Sequence, residues 1–198
     1  MAISKQAIVQ ASIKILNRDG IDNLTMRTIA NELQIKAASL YWHVRGKSEL
    51  YSEIAEYLCS QYQMPKREVD EKSFLEDMYR SYRTMLLSTR DAVPVFEDSI
   101  PNTPRRMELI TATIDALSVM GIPDKNLITI GNLLNNYVLS FVADEVRFKN
   151  TSPEAFADFA ETLGPFDRRM FANIDYDGQF LYGLRVLFAG LESPEAQK

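Results

Sequence analysis

Residues 25–47, TMRTIANELQIKAASLYWHVRGK, constrain the fold of this chain more than any other stretch. Thr25 precedes a run in which Ile29, Ala30 and Leu33 share one helical face. Its hydroxyl is placed to cap that helix by accepting from exposed backbone N–H groups. The run stops at Gln34-Ile35, too short for a full loop, and a second helix is predicted over 36–43. Two short helices joined so tightly must cross steeply, which is the helix-turn-helix arrangement. Ala37, Ala38 and Ser39 make the start of the second helix small enough to approach a base-pair edge. Arg27, Lys36, Tyr41, His43 and Lys47 fall where a duplex presents phosphates, with Thr25 and Thr28 assisting. Spacing alone leaves an ordinary helical hairpin with a solvated basic face equally open.

Charge is divided unevenly. Residues 1–50 carry a net +3 and the remainder −8, for −5 overall. A cationic head on an acidic body is the asymmetry expected when one end approaches phosphate. A first helix is expected over 4–18, with Ser4 as its cap, a stripe of Ile8, Ala11, Ile15 and Leu16, and Gly20 at its end. Residues 1–47 thus read as a three-helix DNA-binding domain, whose core is too small to be comfortable alone. A linking helix follows over 48–62, with Ser48 expected as its cap, and opens a helical body over 48–198.

Helical spacing recurs in that body at 73–89, 106–120, 127–147 and 177–191. Residues 65–72 read as a loop, and Val93-Pro94-Val95-Phe96 as a short helix or turn. A helix start at Ser152-Pro153, a short helix toward Leu163 and a turn at 166–170 are weaker expectations. No stretch alternates convincingly, so the fold class is all-α. Helices 127–147 and 177–191 are apolar around more of their circumference than one core requires, which points to a four-helix homodimer interface.

The segment LTMRTIANELQIKAASLYWHVRGKSEL resembles the signature of the tetracycline-repressor (TetR) family of bacterial regulators. LYWHV, followed by a basic residue and Lys47, is similar to the tetracycline-repressor branch in particular. The body also resembles that branch in FLEDMYRSYRTMLLSTRD, in MGI near 120–122 and in FLYGLRVLFAGLE. The resemblance implies a homodimeric repressor that binds a palindromic operator and is released by a small molecule held in the body. Arg27 would contact guanine or phosphate, Ala37, Ala38 and Ser39 would meet base edges, and Tyr41, His43 and Lys47 would hold phosphates. In that branch two body histidines help hold a magnesium–drug chelate. The equivalent positions here look like Gln63 and Phe96, while a family amide and aromatic match Met78 and Tyr82.

His43 is the only histidine, and it lies in the head, so tetracycline itself is not the expected inducer and no metal or other cofactor is expected. Met78, Tyr82, Met85, Phe96, Met107, Tyr137 and Phe141 would instead enclose a largely apolar or aromatic molecule, with Tyr82, Tyr137, Gln63 and Asp144 giving polar contacts. The same spacing also describes an ordinary core. No Ser/His/Asp or Cys/His arrangement and no phosphate-binding glycine loop occurs, so an enzyme is not expected. One cysteine, no signal-like N-terminus and no membrane-length apolar run suit a cytoplasmic protein. The rival reading is a small-molecule sequestering protein with a vestigial DNA-binding head.

Overall fold

The computed structural model describes residues 4–67, 70–152, 154–155 and 174–193. Among them the regular elements are helices: α1 (Lys5–Asp19), a 3₁₀ turn (Ile21–Asn23), α2 (Met26–Glu32), α3 (Ala37–Leu40), α4 (Lys47–Ser60), α5 (Glu71–Leu87), α6 (Ala92–Glu97), α7 (Pro104–Val119), α8 (Asp124–Asn150) and α9 (Tyr176–Leu191). The weak helix toward Leu163 and the turn at 166–170 lie outside the described residues. Among the described residues no helix is long and apolar enough to cross a membrane.

Local chemistry sets most boundaries. Ser4 accepts from Ala7 N–H at 3.1 Å, capping α1. Gly20 ends that helix at φ 82, a backbone conformation that favours glycine, and a Cβ there would meet only the movable end of the Arg90 side chain at 2.8 Å. Thr25 caps α2 through a reciprocal box: its hydroxyl accepts from Thr28 N–H, and the Thr28 hydroxyl accepts from Thr25 N–H. The turn into α3 is made by Gln34 at φ 56, a left-handed conformation unusual outside glycine.

Three expectations are corrected by the structure. The second helix of the pair covers only Ala37–Leu40, and Tyr41, Trp42 and His43 continue it as a turn. Ser48 does not cap α4. Gly46 occupies the N-cap without a side-chain bond, and Ser48 lies inside the helix, its carbonyl accepting from the Ser52 hydroxyl. The cap of α5 is Asp70, which accepts from Ser73 N–H at 2.9 Å, so that helix begins at Glu71, two residues before the expected start at 73 and inside the stretch read as a loop.

One contiguous apolar core runs from head to body. Ile8, Ile15, Leu16, Leu24, Ile29 and Leu40 form its head end, while Leu50 and Ile54 of α4 carry it into the body. Accordingly α4 packs against α1 on one side and against α6 and α7 on the other. A second joint ties the head to the turn between α5 and α6. Asp91, itself left-handed at φ 58, accepts from Ile21 N–H at 2.8 Å, and Arg90 N–H donates to Asn17 Oδ1 at 2.8 Å. Deeper in the body, Arg83 of α5 bridges Glu145 of α8 at 2.8 Å and Asp177 of α9 at 2.5 Å.

Candidate functional site

Seven basic residues lie in the first 50 positions, and the structure sorts them. Lys5 pairs with Glu53 and Glu49, Lys14 with Glu32, and Arg18 with Glu32 and Asp19. Among the described residues Arg27, Lys36, Arg45 and Lys47 have no carboxylate within ion-pair distance. All four fall between the start of α2 and the start of α4, so the free positive charge of the head gathers around α3. Lys47 is drawn back over the Tyr51 ring, 5.1 Å from its centroid. Tyr51, and more weakly Asp98 and Asp22, raise its pKa above the ordinary lysine value.

The other expected head residues divide. Arg27, Lys36, Ala38 and Tyr41 are exposed; Ala37, Ser39 and His43 are half-buried. Thr25 and Thr28 are occupied by capping, the Thr28 hydroxyl also donating to the carbonyl of Asn23 (2.7 Å) or Thr25 (2.9 Å). Two residues were missed. Trp42 is 90% exposed, an unusual position for an indole, and Arg45 is a free exposed cation. The signal for both was present in the LYWHVR run itself.

In the body, α5, α6, α7 and α8 enclose a cavity of about 150 Å³. Of the residues expected to hold a ligand, Met78, Tyr82 and Phe96 line it. The remainder are not brought to it. Gln63 is exposed in the chain following α4, and Met85 is buried in the core. Met107 faces a separate groove with Met64 and Phe74. Tyr137 is turned to α9, donating to Phe180 O at 2.9 Å and stacking on that ring. Phe141 and Asp144 border a third hollow beside Tyr176. Helical periodicity places a residue on a face of its helix but does not say which neighbour that face meets.

Sequence reasoning also missed cavity residues. Tyr79 shares a hydrogen bond with the Thr113 hydroxyl at 3.1 Å, and Tyr82 donates to Asn135 Oδ1 at 3.5 Å. Burial pushes the Tyr79 phenol up to about 12 and raises that of Tyr82, so both remain neutral donors at neutral pH. Arg106, from the first turn of α7, lies over the Phe96 ring at 4.8 Å and donates to Ser99 Oγ at 2.6 Å. Burial pulls its pKa below the ordinary arginine value. Cys59, pushed up to about 12 by burial, is not a nucleophile at neutral pH. No cluster of three metal-ligating side chains occurs among the described residues. The arrangement offers neutral donors, one cation and apolar walls, which is binding chemistry.

The wall of this cavity is fastened at both ends, at one to the head and at the other to the linking helix α4. Asp91, at the start of α6, holds Ile21. Beyond α6, Arg105 N–H donates to Glu56 of α4 at 2.9 Å, and the Ile100 carbonyl lies 3.4 Å from the Ser52 hydroxyl of α4, an alternative acceptor to Ser48 O at 3.0 Å.

A family model described as "Bacterial regulatory proteins, tetR family" matches residues 8–54, and one described as "Tetracyclin repressor-like, C-terminal domain" matches residues 64–194. The tetracycline repressor protein class D of Escherichia coli is 26% identical over 196 residues, covering 96% of this chain and 89% of its own length. ActR of Streptomyces coelicolor, solved with actinorhodin, superposes with a TM-score of 0.77 at 26% identity, covering 96% of this chain and 97% of its own. BioQ, solved with its double-stranded DNA operator, gives 0.76 at 25% identity, covering 96% and 99%.

Proposed function

The chain belongs to the TetR family of bacterial regulators, and from that premise we propose that it is a cytoplasmic homodimeric repressor, released from a palindromic operator by a small, largely apolar molecule. The observation that carries this reading is the double fastening of the cavity wall, α6 and its flanks, to the 3₁₀ turn of the head and to the linking helix α4. A ligand that displaces that wall moves the head. Regulation then follows from a difference in ligand affinity between two head placements. The operator complex of BioQ and the actinorhodin complex of ActR support the two partner classes.

In this reading residues 1–47 are the DNA-binding domain and 48–198 the effector and dimerisation domain. Each α3 enters a major groove with Ala37, Ala38 and Ser39 against base edges. Arg27 contacts guanine or phosphate, and Lys36, Tyr41, His43 and Lys47 position the head. Trp42 and Arg45 join them, because both are exposed and Arg45 is unpaired. Thr25 and Thr28 act by fixing the start of α2. The dimer forms through α8 and α9, whose outer faces expose Leu133, Tyr182 and Val186. The effector lies among Met78, Tyr82, Phe96 and Arg106, and Gln63, Met85, Met107, Tyr137, Phe141 and Asp144 stand outside its contacts.

Fluorescence anisotropy against duplexes tiling the DNA upstream of its own gene, with random competitor, tests the reading. Tight, salt-sensitive binding of one dimer to one palindromic segment is the expected result. Binding to every segment and to a genome-wide pool no better than to random DNA would give first place to a sequestering protein.

A further inference from the structure

We propose that the effector of this chain carries an anionic group, a carboxylate or its equivalent, seated on Arg106, with an apolar ring in the cavity beyond. The proposal rests on the regulator reading only for the word effector; the anion site stands on the cavity.

Among the described residues of this body, two guanidinium groups withdrawn from solvent lie over aromatic rings, and the fold treats them differently. Arg83 lies over Phe141 at 5.6 Å and Phe180 at 5.3 Å, and both Glu145 and Asp177 neutralise it. Arg106 lies over Phe96, and its protein partners are neutral oxygens: Ser99 Oγ at 2.6 Å, Ser99 O at 3.5 Å and Phe96 O at 3.4 Å. Its Nε–H has no acceptor among the described residues. The nearby carboxylate of Glu56 accepts from Arg105 N–H at 2.9 and 3.2 Å and acts on Arg106 only at longer range. None of the residues lining the cavity is acidic.

A guanidinium keeps its charge at any ordinary pH, so burial cannot be relieved by losing a proton. What relieves it is a bound anion, for which the planar fork is suited to two parallel hydrogen bonds. The rest of the lining is uncharged, apolar at Ile110, Ile114, Ile128 and Met78, with the Asn132 and Asn135 amides and the tyrosine and threonine hydroxyls as its polar groups. A space of about 150 Å³ is of the size that admits a single aromatic ring. The same cation repels an amine or any other cationic ligand, so the site selects by sign of charge as well as by shape.

The test is calorimetric titration of the full-length protein with benzoate, 3-phenylpropanoate and 2-naphthoate, each beside its carboxamide. At least one acid is expected to bind about tenfold or more tightly than its amide, the range for hydrogen bonds to a charged group. R106M should abolish that preference and leave amide affinity within about threefold, while R106K should keep it. Circular dichroism checks that R106M is folded; if it is not, R106Q takes its place. Equal or tighter binding of every amide, a preference that survives in folded R106M or R106Q, or no binding by any of the acids would overturn the assignment. Operator release is read separately by anisotropy. Acid binding without release leaves the anion site standing and removes the regulator reading; release by amides alone does the reverse.

Discussion

Asp91 supplies the sharpest stability test, because one residue serves two physical roles that different substitutions separate. Its carboxylate accepts from the half-buried Ile21 N–H at 2.8 Å, and its backbone is left-handed at φ 58 and ψ 26. A hydrogen bond to a charged acceptor contributes about 1.5–3 kcal/mol, with the lower end appropriate where water can reach the orphaned donor. The left-handed backbone costs a residue with Cβ about 1–2 kcal/mol, less for Asp or Asn and nothing for Gly. D91N keeps both an acceptor oxygen and a residue tolerant of that backbone, so it should lose about 1 kcal/mol. D91G loses the bond, and its relaxed backbone roughly offsets the added chain entropy of glycine, for about 1.5 kcal/mol. D91A loses the bond and meets the full backbone penalty, for about 3 kcal/mol. Urea unfolding of the three variants gives these differences, provided the slope with denaturant is unchanged. If D91A is as stable as D91N, or D91G is less stable than D91A, the joint does not work as described.

The remaining predictions concern the head and the buried ion network. W42A should leave unfolding within about 0.5 kcal/mol of the parent while lowering operator affinity at least about tenfold in anisotropy, since the indole touches little in the free protein. K36A or R45A should weaken binding to all duplexes and reduce the salt slope by about 2 per dimer, one phosphate being lost from each head; an unchanged slope would remove that residue from the interface. T25A should destabilise by about 1 kcal/mol in denaturant titration through loss of the α2 cap. R83M should cost about 3 kcal/mol or more in urea, because it leaves Glu145, 1% exposed, with Lys149 alone at 2.6 Å. The hydrogen bond from Arg83, with its charge, holds the Asp177 carboxyl below its ordinary value of 3.8. That stabilisation is therefore complete above about 3.8 and is lost as pH falls through the folded-state value, so D177N should flatten the acid limb of a stability-versus-pH curve.

What could be read from the sequence was whatever depends on neighbours in the chain. Ser4, Thr25 and the stripes of α1, α5 and α9 follow from spacing and cap chemistry, and the structure keeps them. Gln34 was read as a turn, but its left-handed backbone was not foreseen, because the type of residue there gives no hint of it. Ser48 looked like a cap because it precedes an apolar stripe; Gly46, already extended, takes that position. The cavity was legible only in part. Met78, Tyr82 and Phe96 were reached through a family resemblance, whereas Gln63 was placed by the same route and lies outside. Arg106 looked like any basic residue at a helix start, and its approach to Ser99 and Phe96 depends on how the turn after α6 folds back. The Arg83 network joins residues 62 and 94 positions apart, a distance at which residue type alone carries no information about pairing.

The joint at Asp91 has a consequence for anyone recombining such proteins. A division of the chain near residue 47 separates the head from the body along the sequence, yet Asn17, Arg18 and Ile21 take their partners from Arg90 and Asp91. A head grafted from a relative at that point would meet a foreign latch. The transplantable unit is discontinuous, comprising the first 47 residues together with the short turn at 88–91, and a chimera that carries both segments should transmit its signal where one carrying the head alone does not.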